Sequence, residues 1–215
     1  MYMKTLIILL SLLISTACYA EIITKEIDYK QGETVMKGML AYDDAIKGKR
    51  PGILIVHEWW GHNEHARDKA RMIAKEGYVA FAVDMYGDRK NADHPDDAGK
   101  FSSAVAGNMP LAKARFIAAM DVLMAQPNVE SDNLAAMGYC FGGGVVLNMA
   151  RMGVDLKGVS SFHGSIATKN PANKGDIKAR VMVFNGADDP FVCLLYTSPS
   201  PRDFKYDLVC RLLLE

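Results

Sequence analysis

The octapeptide MGYCFGGG occupies residues 137–144, where it joins the apolar run Leu134–Met137 to a segment with helical character. A strand, a turn of the form Gly-x-Cys-x-Gly and a helix together make a nucleophile elbow, which holds its central side chain out at the carboxyl end of the strand. The residues two before and two after the nucleophile must be small, and Gly138 and Gly142 satisfy this condition. We therefore predict that Cys140 is a nucleophile, with a buried structural thiol as the alternative.

The helix that follows Cys140 should affect the reactivity of its thiol. The amino end of a helix carries a partial positive charge, which lowers the pKa of a nearby thiol and favours the reactive thiolate. We therefore expect the pKa of Cys140 to lie below the ordinary cysteine value.

Strand-like segments recur on both sides of this turn. Five short apolar runs predict strands that are buried on both faces. They lie at Gly52–Val56, Val79–Val83, Leu134–Met137, Lys157–Phe162 and Ala179–Phe184. The earlier segments Glu21–Tyr29 and Thr34–Tyr42 alternate polar and apolar residues, which predicts an antiparallel pair at the edge of the sheet.

Helices are predicted between the strands. Asn63 can cap a helix that runs to about Glu76, and Asn108 can cap another. A third helix begins near Gly142, whereas the polar segment Asp88–Gly99 is expected to be a loop or a weak helix. The alternation of strands and helices predicts an α/β fold, with a mostly parallel sheet and helices on both faces.

Composition limits the classes of function. The chain has 215 residues, of which 50% are hydrophobic and 23% charged, and this suits one globular domain. The formal net charge is zero, so neither a nucleic-acid partner nor a polybasic membrane patch is indicated.

Residues 1–20 have the features of a secretory signal peptide. Lys4 gives a positive start, Leu6–Ile14 is apolar except for Ser11, and small residues precede a cleavage point after Ala20. The apolar run is about half of the roughly 20 residues that span a bilayer, so stable membrane insertion is not expected. Lipidation at Cys18 is the other alternative. We therefore expect export to the periplasm or beyond.

The tail, residues 193–215, differs from the rest of the chain. Residues 193–203 resemble the translation of a transposon-type sequencing adapter, and they contain two prolines without a helical or strand period. We therefore expect the domain to occupy residues 21–192 and to lack its last strand and helix. Cys193 and Cys210 fall in this tail, which leaves Cys140 as the one cysteine of the domain.

Two further motifs follow predicted strands. In His57–Gly61, which follows the first buried strand, the backbone N–H of Trp59 can form an oxyanion hole together with that of Phe141. Trp59 as a core aromatic residue is the alternative reading, and both can hold. After the last buried strand, Asp188 and Asp189 compete for the role of triad acid, or are solvated turn residues.

Four motifs together resemble the dienelactone hydrolase family of α/β-hydrolases. They are His57–Gly61, Asp84–Gly87, Gly138–Gly143 and Gly186–Val192.

The resemblance implies a role for several residues. Cys140 would be the nucleophile, Asp189 rather than Asp188 the acid, and Glu58 a carboxylate that touches the resting thiol. Arg89 would help to bind a substrate carboxylate, although a solvated loop arginine is an equal alternative. The family chemistry requires no metal and no cofactor.

The chain departs from the family pattern at the histidine. The family histidine follows the acid in the chain, and no histidine follows His163 here. His163 precedes Asp189 and is predicted only to line the pocket and contact substrate. Without the base Cys140 cannot pass on its proton in the usual way, so we expect this copy to be inactive.

Three functions remain open from the sequence. The first is hydrolysis of small carboxylic esters or lactones by the parent protein. The second is a non-catalytic binding domain on a hydrolase scaffold. The third is a redox-active thiol at Cys140.

Overall fold

The structure is a computed structural model that describes residues 21–186, Asp189, Val192 and the backbone of residues 208–213. The expected signal peptide and most of residues 193–215 lie outside this part of the chain. Eight strands are present in it: β1 Ile22–Gln31, β2 Thr34–Asp43, β3 Arg50–Val56, β4 Val79–Val83, β5 Val129–Tyr139, β6 Gly158–Phe162, β7 Arg180–Gly186 and β8 Leu208–Leu213. Its helices are α1 Glu64–Lys75, α2 Pro95–Ala106, α3 Met109–Met124 and α4 Phe141–Arg151.

All eight strands form one sheet in the order β1-β2-β4-β3-β5-β6-β7-β8. The five strands from β4 to β7 in this order run parallel, whereas β1 and β2 form an antiparallel pair at one edge. The predicted α/β fold with a mostly parallel sheet is therefore confirmed.

The central strands are buried on both faces, as their apolar runs predict. Every residue of β4 is buried: Phe81 belongs to the larger core cluster, and its neighbours Ala80 and Ala82 belong to the smaller one. Helix α1 packs its small residues Ala70 and Ala74 into the smaller cluster, while α3 and α4 cover the larger one. Helices thus lie on both faces of the sheet.

Helices α1 and α3 begin at the side-chain caps that were expected from the sequence. The Asn63 side chain accepts a hydrogen bond from the Ala66 N–H at the start of α1, and Asn108 accepts one from Leu111 at the start of α3. Residues 88–99 were expected to be a loop or a weak helix, and both are present: residues 88–94 lie outside the helices, and α2 begins at Pro95.

The composition of α2 explains why the sequence indicates this helix only weakly. Its buried residues are only Ala98 and Val105, so its apolar period is weak. Its start is favoured instead by the His94 side chain, which accepts from the Asp96 N–H at 3.3 Å, and by Pro95 in the first turn.

Strand β8 corrects a second expectation, since no strand was predicted in residues 193–215. It pairs antiparallel with β7, from Gly186 opposite Leu208 to Val181 opposite Leu213. The outer edge of β7 presents unpaired N–H and C=O groups, and any extended segment can pair with such an edge. The outer edge of β7 is therefore covered by β8, and the adapter resemblance of this tail stays a prediction.

Candidate active site

Cys140 lies at a tight turn between β5 and α4. Its backbone has φ 51° and ψ −112°, in the left-handed half of φ space that L-residues rarely adopt, and its N–H donates to the Phe162 carbonyl at 2.8 Å. Such strained residues concentrate at functional sites.

The two glycines of the elbow have no room for a side chain. A Cβ on Gly138 would lie 2.7 Å from the Gly143 nitrogen and closer still to the Gly142 carbonyl. A Cβ on Gly142 would lie 2.6 Å from the His57 carbonyl oxygen, on the neighbouring β3 loop. The spacing of the motif is therefore required by the close approach of these backbones.

A cavity of about 1080 Å³ opens above the elbow, at the carboxyl ends of the parallel strands. Trp59, Cys140, Phe141 and His163 all line it. Its walls come from the end of α2 and the start of α3 on one side, and from the loop after β6 on the other. Its size and position are those of a small-molecule site in an α/β fold.

Two backbone N–H groups converge on the sulfur of Cys140. They belong to Phe141, at the start of α4, and to Trp59, on the loop after β3. These are the two groups that the motifs predict to form an oxyanion hole, and the fold brings them together beside the thiol.

The pKa of Cys140 is raised from its ordinary value, so the expectation of a lowered pKa is wrong. Burial of the thiol is the largest cause, and the carboxylates of Glu58 and Asp189 also disfavour a second negative charge. The two N–H groups act in the opposite direction but are outweighed. The resting group is thus a neutral thiol, which needs a base before it can attack.

Asp84 organises the loop after β4. Its carboxylate is fully buried and accepts four hydrogen bonds from the backbone N–H groups of Lys37, Tyr86, Gly87 and Arg89, at 2.8 to 3.0 Å. The motif that begins at Asp84 is therefore a structural one.

This loop in turn supports the oxyanion residue. The Tyr86 hydroxyl donates to the Trp59 carbonyl at 3.0 Å, and its ring packs against those of His57 and Phe141. A substitution at Asp84 would therefore disturb the position of Trp59 through Tyr86.

Two buried histidines lie beneath the site without lining the cavity. Burial lowers the pKa of His57 to about 4 and that of His62 to about 3, so both are neutral. The His57 Nδ1–H donates to the Glu58 carbonyl at 2.5 Å, and Nε2 accepts from the Met85 N–H at 3.2 Å. Neither histidine is placed to take a proton from Cys140.

Arg89 is not brought into the cavity. Its guanidinium pairs with Glu26 and lies 3.5 Å from the Lys37 carbonyl oxygen, on the outer side of β2. Asp88 and Arg89 both have left-handed φ values, of 52° and 51°. Lys169, and not Arg89, is the cationic residue among those that line the cavity.

Glu58 and Asp189 both lie close to the thiol, since each contributes to its raised pKa. Asp189 is nearly buried, with 7% of its side chain exposed, and its Oδ1 accepts from the Val192 N–H at 3.1 Å. Asp188 lies outside the described residues, so the choice of Asp189 over Asp188 stays a prediction.

His163 was expected only to line the pocket, and the structure adds a partner to it. Its Nδ1 is hydrogen-bonded to the Asp189 Oδ2, while its backbone N–H donates to the Phe184 carbonyl at 2.8 Å. The order of residues along the chain could not reveal this contact, because it depends on the adjacency of β6 and β7.

Fold and site together define an α/β-hydrolase. Residues 36–195 match the dienelactone hydrolase family, and the chain belongs to that family. It is therefore a hydrolase of the kind that cleaves carboxylic esters or lactones.

Relatives and solved structures agree with this assignment. The chain is 28% identical over 170 residues to "Protein usf" of Aquifex pyrophilus. The aligned region covers 77% of this chain and 72% of that protein. It is 30% identical over 135 residues to a protein of Synechocystis sp. named "Putative carboxymethylenebutenolidase", covering 60% and 53% of the two chains.

Among solved structures, one named "m3DLH" shares 38% identity with a TM-score of 0.74, covering 80% of this chain and 71% of its own. A dienelactone hydrolase-like promiscuous phosphotriesterase, P91, from metagenomic libraries shares 36% identity with the same TM-score and the same coverage.

Two further findings concern the part of the chain that the structure describes. It contains no group of three or more His, Cys, Asp or Glu side chains that could hold a metal ion. None of its helices combines the length and the apolar character needed to cross a bilayer.

Proposed function

We propose that this protein hydrolyses small carboxylic esters or lactones with Cys140 as its nucleophile. The observation that carries the proposal is the placement of Cys140 in a strained turn at the floor of the cavity, with two backbone N–H groups aimed at its sulfur. Those N–H groups, of Trp59 and Phe141, would hold the oxyanion of a tetrahedral intermediate.

The reaction proceeds in two halves. The Cys140 sulfur attacks the acyl carbon, the leaving alcohol departs, and a thioester forms. Water then attacks the thioester and releases the acid. In a lactone, the departing alkoxide stays attached to the acyl group and leaves with it after hydrolysis.

A catalytically silent domain that only binds such molecules in the cavity is the second candidate, and the raised pKa of Cys140, which keeps its resting thiol neutral, favours it. Measured turnover of an ester by this chain distinguishes a hydrolase from a non-catalytic binding domain.

The test is hydrolysis of p-nitrophenyl acetate and of dihydrocoumarin by the purified chain. We expect turnover that is abolished in Cys140→Ala and kept in Ser131→Ala, a control that removes one small polar group from an exposed position outside the cavity lining. Equal activity of Cys140→Ala and wild type would refute the proposal. Peroxide consumption without ester turnover would support a redox thiol instead.

We also propose export, on the pattern of residues 1–20. Amino-terminal sequencing of the protein recovered from a periplasmic fraction should begin at Glu21. Recovery of the uncleaved chain from the cytoplasm alone would contradict this proposal.

A further inference from the structure

The connection between β6 and β7 forms one wall of the cavity. Residues 163–179 contain neither a helix nor a strand, and a connection of this length without secondary structure is uncommon and usually functional. Its first part, residues 163–170, is the wall loop: all of these residues except Gly164 and Ile166 line the cavity. The wall loop therefore faces a substrate that approaches Cys140.

Backbone hydrogen bonds do little to fix the wall loop. The His163 N–H donates to the Phe184 carbonyl at 2.8 Å, but among the described residues 164–170 take part in no hydrogen bond between backbone groups. The opposite wall comes from the end of α2 and the start of α3, where helical backbone bonds fix the chain. The position of the wall loop depends instead on its contacts with neighbouring elements.

The wall loop packs against α4, the helix that begins beside Cys140. A Cβ on Gly164 would lie 2.5 Å from the Gly143 carbonyl carbon, so the two backbones touch at the first turn of the helix. At the last residue of the helix, the Arg151 guanidinium donates to the Ile166 carbonyl at 2.7 Å. The loop is thus held at both ends of α4.

Asn148 makes a third contact, between these two. Its Nδ2 donates to the Gly144 carbonyl at 2.9 Å, and its Oδ1 accepts from the Thr168 hydroxyl at 2.9 Å. The Thr168 oxygen in turn accepts from the Asn170 N–H at 3.0 Å. The Gly144 carbonyl requires the amide nitrogen on its side, which leaves the amide oxygen to face Thr168.

We propose that Asn148 is a positioning residue that sets the width of the cavity above Cys140. It ties the wall loop to the helix of the nucleophile, and both partners of the bond, Asn148 and Thr168, line the cavity themselves. The size of the acyl or leaving group that reaches the thiol then depends on this bond. The inference rests on the proposed role of Cys140 and adds a determinant of substrate size.

Loss of the Asn148 side chain should widen the cavity. Asn148→Ala removes the bond to Thr168, and the wall loop has no backbone hydrogen bond at this point that would keep it against α4. Removal of one such bond changes an equilibrium by about two- to tenfold. Large molecules should therefore gain access to Cys140 relative to small ones.

Alkylation of Cys140 measures this width without requiring turnover. Iodoacetamide and iodoacetanilide present the same reacting carbon and the same leaving iodide, but the second carries a phenyl ring. Both rates are followed at Cys140 in the full chain by peptide mass spectrometry, and their ratio cancels a change in the pKa of the thiol. We expect the ratio of the anilide rate to the amide rate to rise by about threefold or more in Asn148→Ala.

Three further variants separate this role from a general loss of structure. Thr168→Val removes the hydroxyl and should raise the ratio as Asn148→Ala does, whereas Thr168→Ser keeps the hydroxyl and should keep the wild-type ratio. The double variant Asn148→Ala, Thr168→Val should equal the larger single effect, because both changes remove the same bond. Asn133→Ala is the matched control: its Nδ2 donates to the Glu130 carboxylate at 2.9 Å, outside the cavity lining.

Hydrolysis gives a second reading of the same property. The ratio of kcat/KM for p-nitrophenyl hexanoate to that for p-nitrophenyl acetate should rise in Asn148→Ala by about the same factor of three. The change should lie in KM rather than in kcat, because Asn148 acts through the wall loop and not on the reacting atoms.

The outcomes distinguish the two proposals. An alkylation ratio that is unchanged or lower in Asn148→Ala, or that rises equally in Asn133→Ala, would overturn the inference and leave the hydrolase function intact. The expected alkylation ratios in a chain that hydrolyses neither ester would support the role of Asn148 and refute the hydrolase function. A Cys140 that reacts with neither alkylating agent would overturn both.

Discussion

Replacement of Gly138 by alanine should damage both the fold and the activity. The added Cβ would lie 2.7 Å from the Gly143 nitrogen and closer still to the Gly142 carbonyl, whereas ordinary contact begins near 3.4 Å. Every atom in the way belongs to the backbone of the elbow, so no flexible side chain can move aside. The turn itself must open, and overpacking of this kind costs about 1–3 kcal/mol or more.

Urea unfolding measures this cost. With a slope of about 2 kcal/mol per molar, a loss of about 2 kcal/mol lowers the midpoint by about 1 M. Opening the turn also separates the Phe141 N–H from the sulfur of Cys140, so hydrolysis of p-nitrophenyl acetate should fall by more than the loss of folded protein explains.

Gly144→Ala is the matched control in the same motif. A Cβ there would meet nothing nearer than 3.8 Å, and the residue lies inside α4. Alanine in place of glycine within a helix stabilises by about 0.5–1 kcal/mol, so this variant should unfold at a higher urea concentration. Equal midpoints for Gly138→Ala and wild type would refute the steric argument for the elbow.

Three other perturbations test the surroundings of the site. Glu58→Gln removes one of the carboxylates that raise the pKa of Cys140, so the pH midpoint of its alkylation by iodoacetamide should move down; an unchanged midpoint would exclude a contact between Glu58 and the thiol. Because burial lowers the pKa values of His57 and His62, the unfolded chain binds protons that the folded chain does not. Stability should therefore be full above about pH 6.5 and should fall by a few kcal/mol towards pH 4, and a flat profile of urea midpoints would contradict this. Asp84→Asn places an amide among four N–H donors and should cost about 3 kcal/mol in urea unfolding, with a further loss of activity through the oxyanion loop. A stability equal to wild type would show that the charge of Asp84 is dispensable.

Much of the fold follows from local rules. The elbow could be predicted because its two small residues are a steric requirement that a sequence displays directly. Helices α1 and α3 have side-chain caps at Asn63 and Asn108, and their starts were predicted from these residues. Helix α2 was indicated only as a loop or a weak helix, because it buries little apolar surface. Strand β8 was missed because its pairing depends on the free edge of β7.

The site was harder to predict, since its properties depend on what surrounds each group. The helix behind Cys140 predicts a lowered pKa, but burial at the cavity floor outweighs it, and burial cannot be read from residues 137–144. Arg89 follows the motif that begins at Asp84, yet its guanidinium pairs with Glu26, a contact between residues 63 positions apart in sequence. The contact of His163 with Asp189 joins residues 26 positions apart in sequence. This contact depends on the order of the strands in the sheet, which cannot be read directly from the sequence.

The most direct test of Cys140 as nucleophile is to trap the acyl-enzyme. The chain is mixed with p-nitrophenyl acetate, quenched in acid within the first turnover and analysed by intact and peptide mass spectrometry. We predict a single acetyl group, held as a thioester on the peptide that contains Cys140 and absent from Cys140→Ala. Hydrolysis of the ester with no acyl group on Cys140 at any time would contradict the account.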